Sequence, residues 1–392
     1  MLGIFELSLL LAGIFGNCWF WCSYINRLYS LPIHDRVLDR WRRPAEIAVL
    51  LVPGVLLISL LRYQGRPGLS SLASAGADSA AWLHGVWLFP ALGLVFFGMR
   101  VFSRAVSRRP PGYVRYDFQI LDYVARLGRK PIGQGPYAKL AHIPGNQAFS
   151  LELNTKRFVF ARLPHAFHQF RILHISDLHF SGAIDREYFE QVLYDASQTK
   201  PDLVAFTGDL LDDLRLVSWL PATLGKLQAP LGCYYILGNH DWHLADDQIR
   251  DSLKQLGWQE CQGPALEIQR GESRIFLAGD ERPWMGTAPD LTAVPDSAFR
   301  ILMSHTPDNI RWARRAGVDL MLSGHNHGGQ IKLPGIGAVL SPSRHGVRFA
   351  DGEFYLPPTT LHVSRGVSGR HPLRLRCRPE ISLLQLDCAD LV

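Results

Sequence analysis

The sequence predicts an α/β domain over residues 150–392, set behind an N-terminal region of apolar helices. Three observations predict it. From about residue 150, short apolar runs alternate with amphipathic ones, which is the pattern of strands layered with helices. Five of the strand-like runs are followed at once by Asp, Asn or His. The chain is 47% hydrophobic and 19% charged, and its apolar excess sits before residue 100.

The elements are read in chain order. Runs 171–175, 202–206, 233–237, 274–277, 300–303 and 319–322 are short and mostly apolar, all but the third behind a leading Arg or Asp, as strands buried on both faces are. Between them, 185–198, 245–256 and 307–316 carry helical periodicity; the first opens on Asp185 and the third follows Thr306, both good N-caps. The tail, 361–386, is strand-rich and completes a sheet. Upstream, 113–127 places Val114, Phe118, Leu121 and Val124 at helical spacing. This predicts a helix, either lying on lipid headgroups or packed against the domain. The Gly- and Pro-rich stretch 129–147 reads as a linker. The expected organisation is therefore a membrane-anchoring region (1–110) with two to three apolar helices, a basic juxtamembrane linker (111–149) and a catalytic domain (150–392).

Three runs before residue 100 are apolar: 3–22, 47–61 and 80–99. A spanning helix needs about 20 apolar residues, so the first and third qualify, whereas the second, with Pro53 and Gly54, is either a span or a re-entrant or core helix. No basic residue precedes the first run and no small-x-small site follows it, so it reads as a retained helix rather than a signal peptide. Residues 64–79, rich in Gly, Ser and Ala, read as a loop. Loop 23–46 carries five arginines and the segment after Met99 five more, against Arg62 and Arg66 between the second and third runs. Positive residues stay inside, so the catalytic domain is expected on the cytoplasmic side of the cell (inner) membrane.

Residues 100–174 hold 13 Lys/Arg against 3 Asp/Glu, whereas 175–392 hold 21 against 27. The basic stretch suits anionic headgroups or merely maintains topology. The acidic balance of the remainder excludes a general nucleic-acid binder. The six cysteines form no CxxC pair and read as reduced, mostly buried thiols.

The chemistry lies at the strand ends. After the first expected strand come Asp177 and His179; after the second, Asp209 and Asp212; after the third, Asn239, His240 and Asp241; after the fifth, His305; after the sixth, His325 and His327. Open α/β sheets bind ligands beyond the carboxyl ends of their strands, so these loops can converge. Singly, each is unremarkable: a strand-end Asp is usually a turn residue and a lone His a surface one. Five sets at one topological position are a metal-binding pattern, and mixed imidazole and carboxylate donors suit Mn, Fe or Zn better than Mg or Ca.

In order, D-x-H, G-D-x-x-D, G-N-H-D, H and G-H-x-H resemble the calcineurin-like metallophosphoesterase superfamily over roughly residues 150–390. The flanking GHNHGGQIKLP and SRGVSGRHPLRLRCRPEI resemble its membrane-associated bacterial branch. The resemblance implies two mixed β-sheets sandwiched together and flanked by helices. It implies one divalent metal on Asp177, His179, Asp209 and His327, and a second on Asp209, Asn239, His305 and His325, with Asp209 shared. His240 would face the substrate phosphate, and Asp212, the second acid of G-D-x-x-D, would orient it. Asn326 stands where the family often has Thr, at a position that is not a ligand. A hydroxide held between metals about 3.5–4 Å apart would attack phosphorus.

The expected substrate is a membrane-borne phosphodiester or pyrophosphate, such as a lipid-linked headgroup. A UDP-linked diacyl sugar is one candidate, by analogy alone. The rival readings are an enzyme of soluble phosphoesters with an incidental anchor, and a non-catalytic scaffold, which usually lacks ligands that are all present here. Arg344, His345 and Arg348 follow the last motif and either contact substrate or are surface charge.

Overall fold

A computed structural model describes residues 4–63, 77–113, 115–244 and 246–392. The chain divides into two compact units: Met1–Ser107 with Arg344–Arg348, and Arg108–Ser343 with Phe349–Val392.

The first unit holds α1 (Ile4–Leu28), α2 (Asp35–Tyr63) and α3 (Ala77–Ala105), each long and apolar enough to cross a membrane. The marginal second run is part of one continuous helix that passes through Pro44 and Pro53. Most of the loop expected over 64–79 lies outside the described residues. Helices α1 and α3 approach closely because small residues meet: a Cβ on Gly93 would lie 1.7 Å from the Gly16 carbonyl oxygen. Asn17, buried inside α1, donates to the Ala48 carbonyl of α2 at 3.2 Å and accepts from the Trp21 indole at 3.1 Å, so its amide is satisfied between helices.

The second unit begins with β1 (Arg115–Asp122), α4 (Tyr123–Leu127), β2 (Ser150–Phe160), β3 (Phe170–Ile175) and α5 (Arg186–Ser197). Next come β4 (Leu203–Thr207), β5 (Cys233–Ile236), α6 (Asn239–Trp242), α7 (Asp246–Gln255), β6 (Gln259–Glu260), β7 (Leu266–Arg270) and β8 (Ser273–Asp280). It ends with β9 (Arg300–Ser304), α8 (Ile310–Arg315), β10 (Leu320–Ser323), β11 (Lys332–Leu333), β12 (Gly337–Ala338), β13 (Gly352–Leu356), β14 (Thr359–Val363) and β15 (Glu380–Cys388).

Two mixed sheets form. One runs β1-β2-β15-β3-β4-β5-β6 and the other β13-β14-β10-β9-β8-β7, while β11 and β12 make a small hairpin. Alternation along the strands builds the layers. In β3, Phe170 and Ile172 face the second sheet with Phe158, Ile236, Ile301, Leu322 and Leu384; Leu173 and Ile175 face outward. That outer face is covered by α5, whose Tyr188, Phe189, Val192 and Leu193 recur at helical spacing behind the Asp185 N-cap, which accepts from the Tyr188 N–H at 3.1 Å. On the far side, Ile310 and Ala313 of α8 cover Leu302, Met321 and Leu361. The expected α/β sandwich of two mixed sheets flanked by helices is what folds.

Two elements differ from expectation. Within the stretch 113–127 expected as a helix, Arg115–Asp122 is strand β1, paired antiparallel with β2, and only Tyr123–Leu127 is helical; Val114 lies outside the described residues. Asp122 makes the switch, its carboxylate accepting from Val124 N at 2.9 Å as an N-cap. The helix expected over 307–316 opens as a 3₁₀ turn, Pro307–Asn309, before α8.

Candidate metal centre

Strands β3, β4, β5, β9 and β10 each end in a loop that turns the same way, and these loops bring the predicted side chains together. Asp177, His179, Asp209 and His327 offer one donor atom each within 4.8 Å of one another, and so do Asp209, His305 and His325. Asn239 joins the second group, its Oδ1 3.1 Å from His305 Nε2. Asp209 belongs to both. His179, Asp212 and His240 form a third cluster alongside. Asp177, His179, Asp209, His305 and His325 are buried, while Asn239, His240 and His327 are partly open.

The backbone is bent to present these groups. Asp177 (φ 57°), His179 (46°), Asp209 (57°), His325 (67°) and His327 (49°) are all left-handed, five of the ten such non-glycine residues among those described. Each costs about 1–3 kcal/mol and persists only where the surroundings over-determine it. Small residues let the loops interlock. A Cβ on Gly324 would lie 1.8 Å from Ser176 Oγ, and one on Gly238 would lie 2.2 Å from Asp209 Oδ1. The Asp177 carboxylate accepts from the His325 N–H at 3.0 Å, and Asp209 accepts from the His240 N–H at 2.9 Å.

Hydrogen bonds fix which imidazole nitrogen points inward. His305 Nδ1 donates to the Thr207 carbonyl at 2.7 Å, so its Nε2 faces Asn239 Oδ1 at 3.1 Å and Asp209 Oδ2 at 3.2 Å. Facing two acceptor oxygens, that nitrogen needs positive charge, either the ring's own second proton or a metal cation in its place. His325 Nε2 donates to the Pro342 carbonyl at 2.8 Å, which turns its Nδ1 inward. His179 Nδ1 donates to Asp212 at 3.3 Å, while its buried Nε2 has no hydrogen-bond partner and lies 3.4 Å from Asp209 Oδ2. This is the carboxylate–histidine–metal geometry that fixes a ligand's tautomer. The donor set therefore fits divalent transition metals.

Protonation reports the same deficit of positive charge. Burial works to lower His305, but Asp209 beside it drives the ring up to about 9. Burial likewise opposes His240, yet Asp209 and Asp212 raise it to about 10, its Nδ1 lying 2.5 Å from Asp212 Oδ1. Burial pushes Asp209 up, but His305 and the other imidazoles hold it well below the usual carboxylate range. His325 falls to about 3 through burial and the His305 charge.

Sequence reasoning missed several supporting residues. Arg374, fully buried, donates to the His327 carbonyl at 2.7 Å and its backbone N–H to Asn146 Oδ1 at 2.9 Å. The Trp284 ring lies 4.9 Å from that of His325 and 5.7 Å from that of His305. Asp241 accepts backbone N–H groups from Leu210, Leu211 and Gly238, all within 3.0 Å, tying two strand-end loops together. Of these, Asp241 alone left a signal, as the last letter of G-N-H-D. Arg344, His345 and Arg348 belong to the first unit.

The calcineurin-like phosphoesterase family model matches residues 170–329. The uncharacterized metallophosphoesterase YkuE of Bacillus subtilis (strain 168) is 34% identical over 239 residues, which cover 58% of this chain and 82% of YkuE. Phosphodiesterase YaeI of Escherichia coli (strain K12) is 30% identical, with 55% and 82% covered. The UDP-2,3-diacylglucosamine pyrophosphatase LpxG of Chlamydia muridarum (strain MoPn / Nigg) is 26% identical, with 57% and 86% covered. The chain is thus a metal-dependent phosphoester hydrolase. It belongs to the calcineurin-like phosphoesterase family.

Proposed function

We propose that this enzyme hydrolyses a phosphodiester or pyrophosphate carried by a membrane-associated molecule such as a lipid-linked headgroup, using a dinuclear centre that faces the cytoplasm at the inner membrane. Asp177, His179, Asp209 and His327 would hold one divalent ion, and Asp209, Asn239, His305 and His325 the other, with Mn, Fe or Zn favoured by the donors. The observation that carries this is the inward Nε2 of His305, set against Asn239 and Asp209 at 3.1 and 3.2 Å while its Nδ1 is committed to the Thr207 carbonyl. Bound ions supply Lewis acidity and lower the pKa of water towards 7.

The chain's own groups do the rest. Asn239 is a neutral donor, so it leaves more positive charge for a phosphoryl oxygen. His240, partly open and held protonated by Asp212, stabilises charge on the phosphoryl group or gives its proton to the leaving oxygen, a role worth about 10²–10⁴-fold. The Asp212 carboxylate keeps the ring's remaining nitrogen, Nε2, turned from it and available to substrate.

Three apolar helices on the same chain, and relatives named as a phosphodiesterase and a lipid-sugar pyrophosphatase, support the membrane substrate. The test is to incubate the full chain in detergent with Mn²⁺ and matched lipid-linked and water-soluble phosphodiesters. A preference of about tenfold or more for the lipid-linked ester is expected, on the scale of one pocket contact. Equal rates would leave the membrane without a catalytic role.

A further inference from the structure

Another group of metal-ligating side chains lies away from the catalytic loops. His165, Cys388 and Asp390 offer one donor atom each within 4.8 Å of one another, and among the described residues this is the one such group that contains a thiol. Its place in the fold follows from the sheet register. Strand β15 runs antiparallel to β3, pairing Ser382 with His174 and Leu386 with Phe170. Cys388, the last residue of β15, therefore lies beside the start of β3, whereas Asp177 and His179 follow its other end. The group and the catalytic loops sit at opposite ends of the sheet.

Each donor comes from a different element. His165 opens the 3₁₀ turn His165–Phe167 between β2 and β3, and the buried Phe167 pins that turn, its ring edge-on to Phe170 with centroids 5.2 Å apart. Cys388 is paired with Phe160 of β2, and its backbone N–H donates to His168 Nδ1 at 3.2 Å. It is a free, buried thiol, while His165 and Asp390 are exposed, so the sulfur forms the floor of a site open to water. Asp390 stands in the 3₁₀ turn Ala389–Leu391, which buries none of its residues and so has no packing of its own to hold it. His165 Nε2 lies 3.5 Å from Asp390 Oδ2. That is long for a hydrogen bond, and an ion pair so exposed contributes little. It is close to the edge of a tetrahedron, about 3.4 Å, whose two donors each stand about 2.1 Å from a central ion.

We propose that His165, Cys388 and Asp390 form a further metal site, mononuclear and selective for Zn²⁺, that fastens the turn Ala389–Leu391 to the connection between β2 and β3. Thiolate, imidazole and carboxylate together suit a borderline-soft ion and disfavour Mg²⁺ and Ca²⁺, which prefer oxygen alone. Three protein donors leave the fourth position to water. As the sulfur–zinc bond forms, the Cys388 thiol gives its proton to solvent; the neutral His165 ring keeps its proton on Nδ1 and supplies the Nε2 lone pair. The site is separate from the hydrolytic chemistry and stands whatever the substrate is.

The probe is Co²⁺, which accepts the same tetrahedral donors and, when bound to a thiolate, gains a charge-transfer band in the near ultraviolet. No donor grouped at the catalytic centre is a sulfur, so the band reports this site alone. The full chain, reduced and stripped of metal, is titrated with Co²⁺. The band is expected to appear, and added Zn²⁺ to remove it. Cys388→Ser and His165→Ala should each lose the band and bind one equivalent of Co²⁺ fewer than the wild type. Asp209→Asn, which disables the catalytic centre, should keep it. If the buried Cys388→Ser chain misfolds, the exposed His165→Ala decides. Absence of the band in the wild type overturns the proposal. So does a band that survives His165→Ala, that Zn²⁺ leaves in place, or that disappears in Asp209→Asn.

Discussion

Two buried polar clusters lie in the same domain and are built on opposite principles. Between the sheets, Lys156 Nζ pairs with Glu380 at 2.5 Å and Glu353 at 2.8 Å, while Arg365 pairs with Glu380 and, at 2.8 Å, with Glu152. Ser382 adds a hydrogen bond to Glu380 at 2.7 Å. His174 and His362 beside them are pushed down by burial and stay neutral, His174 at about 3. Here cations and carboxylates answer one another within the chain. At the strand ends the ion-pair partners described for Asp177, Asp209 and Asp212 are imidazoles, the backbone is left-handed, and inward nitrogens face oxygens. A cluster whose carboxylates are answered by Lys and Arg, which keep their charge, holds sheets together; one whose carboxylates are answered by imidazoles, whose protons can leave, can exchange that charge for a metal cation. The difference separates a structural use of buried charge from a functional one without reference to any relative.

The comparison can be broken most directly at the shared carboxylate. Asp209→Asn removes the one group common to both donor sets, so bound Mn²⁺ and phosphoester hydrolysis are both expected to fall to background, as read by elemental analysis and turnover. Next, His240→Ala should lower kcat by about 10²–10⁴ while metal content stays at the wild-type level. Loss of metal in that variant would make His240 a ligand and redraw the site. In the other cluster the expected signature is reversed. Lys156→Met leaves Glu353 facing Glu380 in the core and should cost about 3–5 kcal/mol of unfolding free energy, followed by tryptophan fluorescence in denaturant, with metal content unchanged. An unchanged unfolding midpoint would show that Arg365 neutralises Glu380 by itself.

What the sequence made legible divides along the same line. Runs such as 203–207 and 320–323 are apolar up to a last Thr207 or Ser323, and a Gly followed by Asp or His comes next at the same topological position, so strands and site emerged together. Strand β1 was misread because Leu121 and Val124 straddle a strand-to-helix junction and mimic a helical stripe. Its partner β2 begins about 30 residues on, so no local period announces the pairing. The Lys156–Arg365 cluster was invisible for a related reason: Lys156 and Glu380 are 224 residues apart, and charged letters in a strand normally read as a solvent face. Arg374, in the middle of a basic run, gave no hint that its guanidinium is buried against His327. Motif letters encode chemistry locally; support from a distant segment does not.

The smallest expected effect tests how the functional cluster is supported. Asp212 serves two imidazoles at once, His179 at 3.3 Å and His240 at 2.5 Å. Asp212→Asn keeps the shape but removes the charge, and carboxylates behind metal-bound histidines are typically worth about 10–100-fold in metal affinity or activity. Because His179 is in a donor set and His240 is not, the variant should show two losses, a weaker Mn²⁺ affinity through His179 and a lower kcat through His240. A double mutant separates them. In a His240→Ala background, Asp212→Asn should still weaken Mn²⁺ binding but no longer lower kcat at saturating metal, because the group through which it acted on turnover is gone. If kcat falls as far in both backgrounds, Asp212 acts on the reaction directly; if Mn²⁺ affinity is unmoved in both, the His179 contact holds a ring that is already fixed by its surroundings.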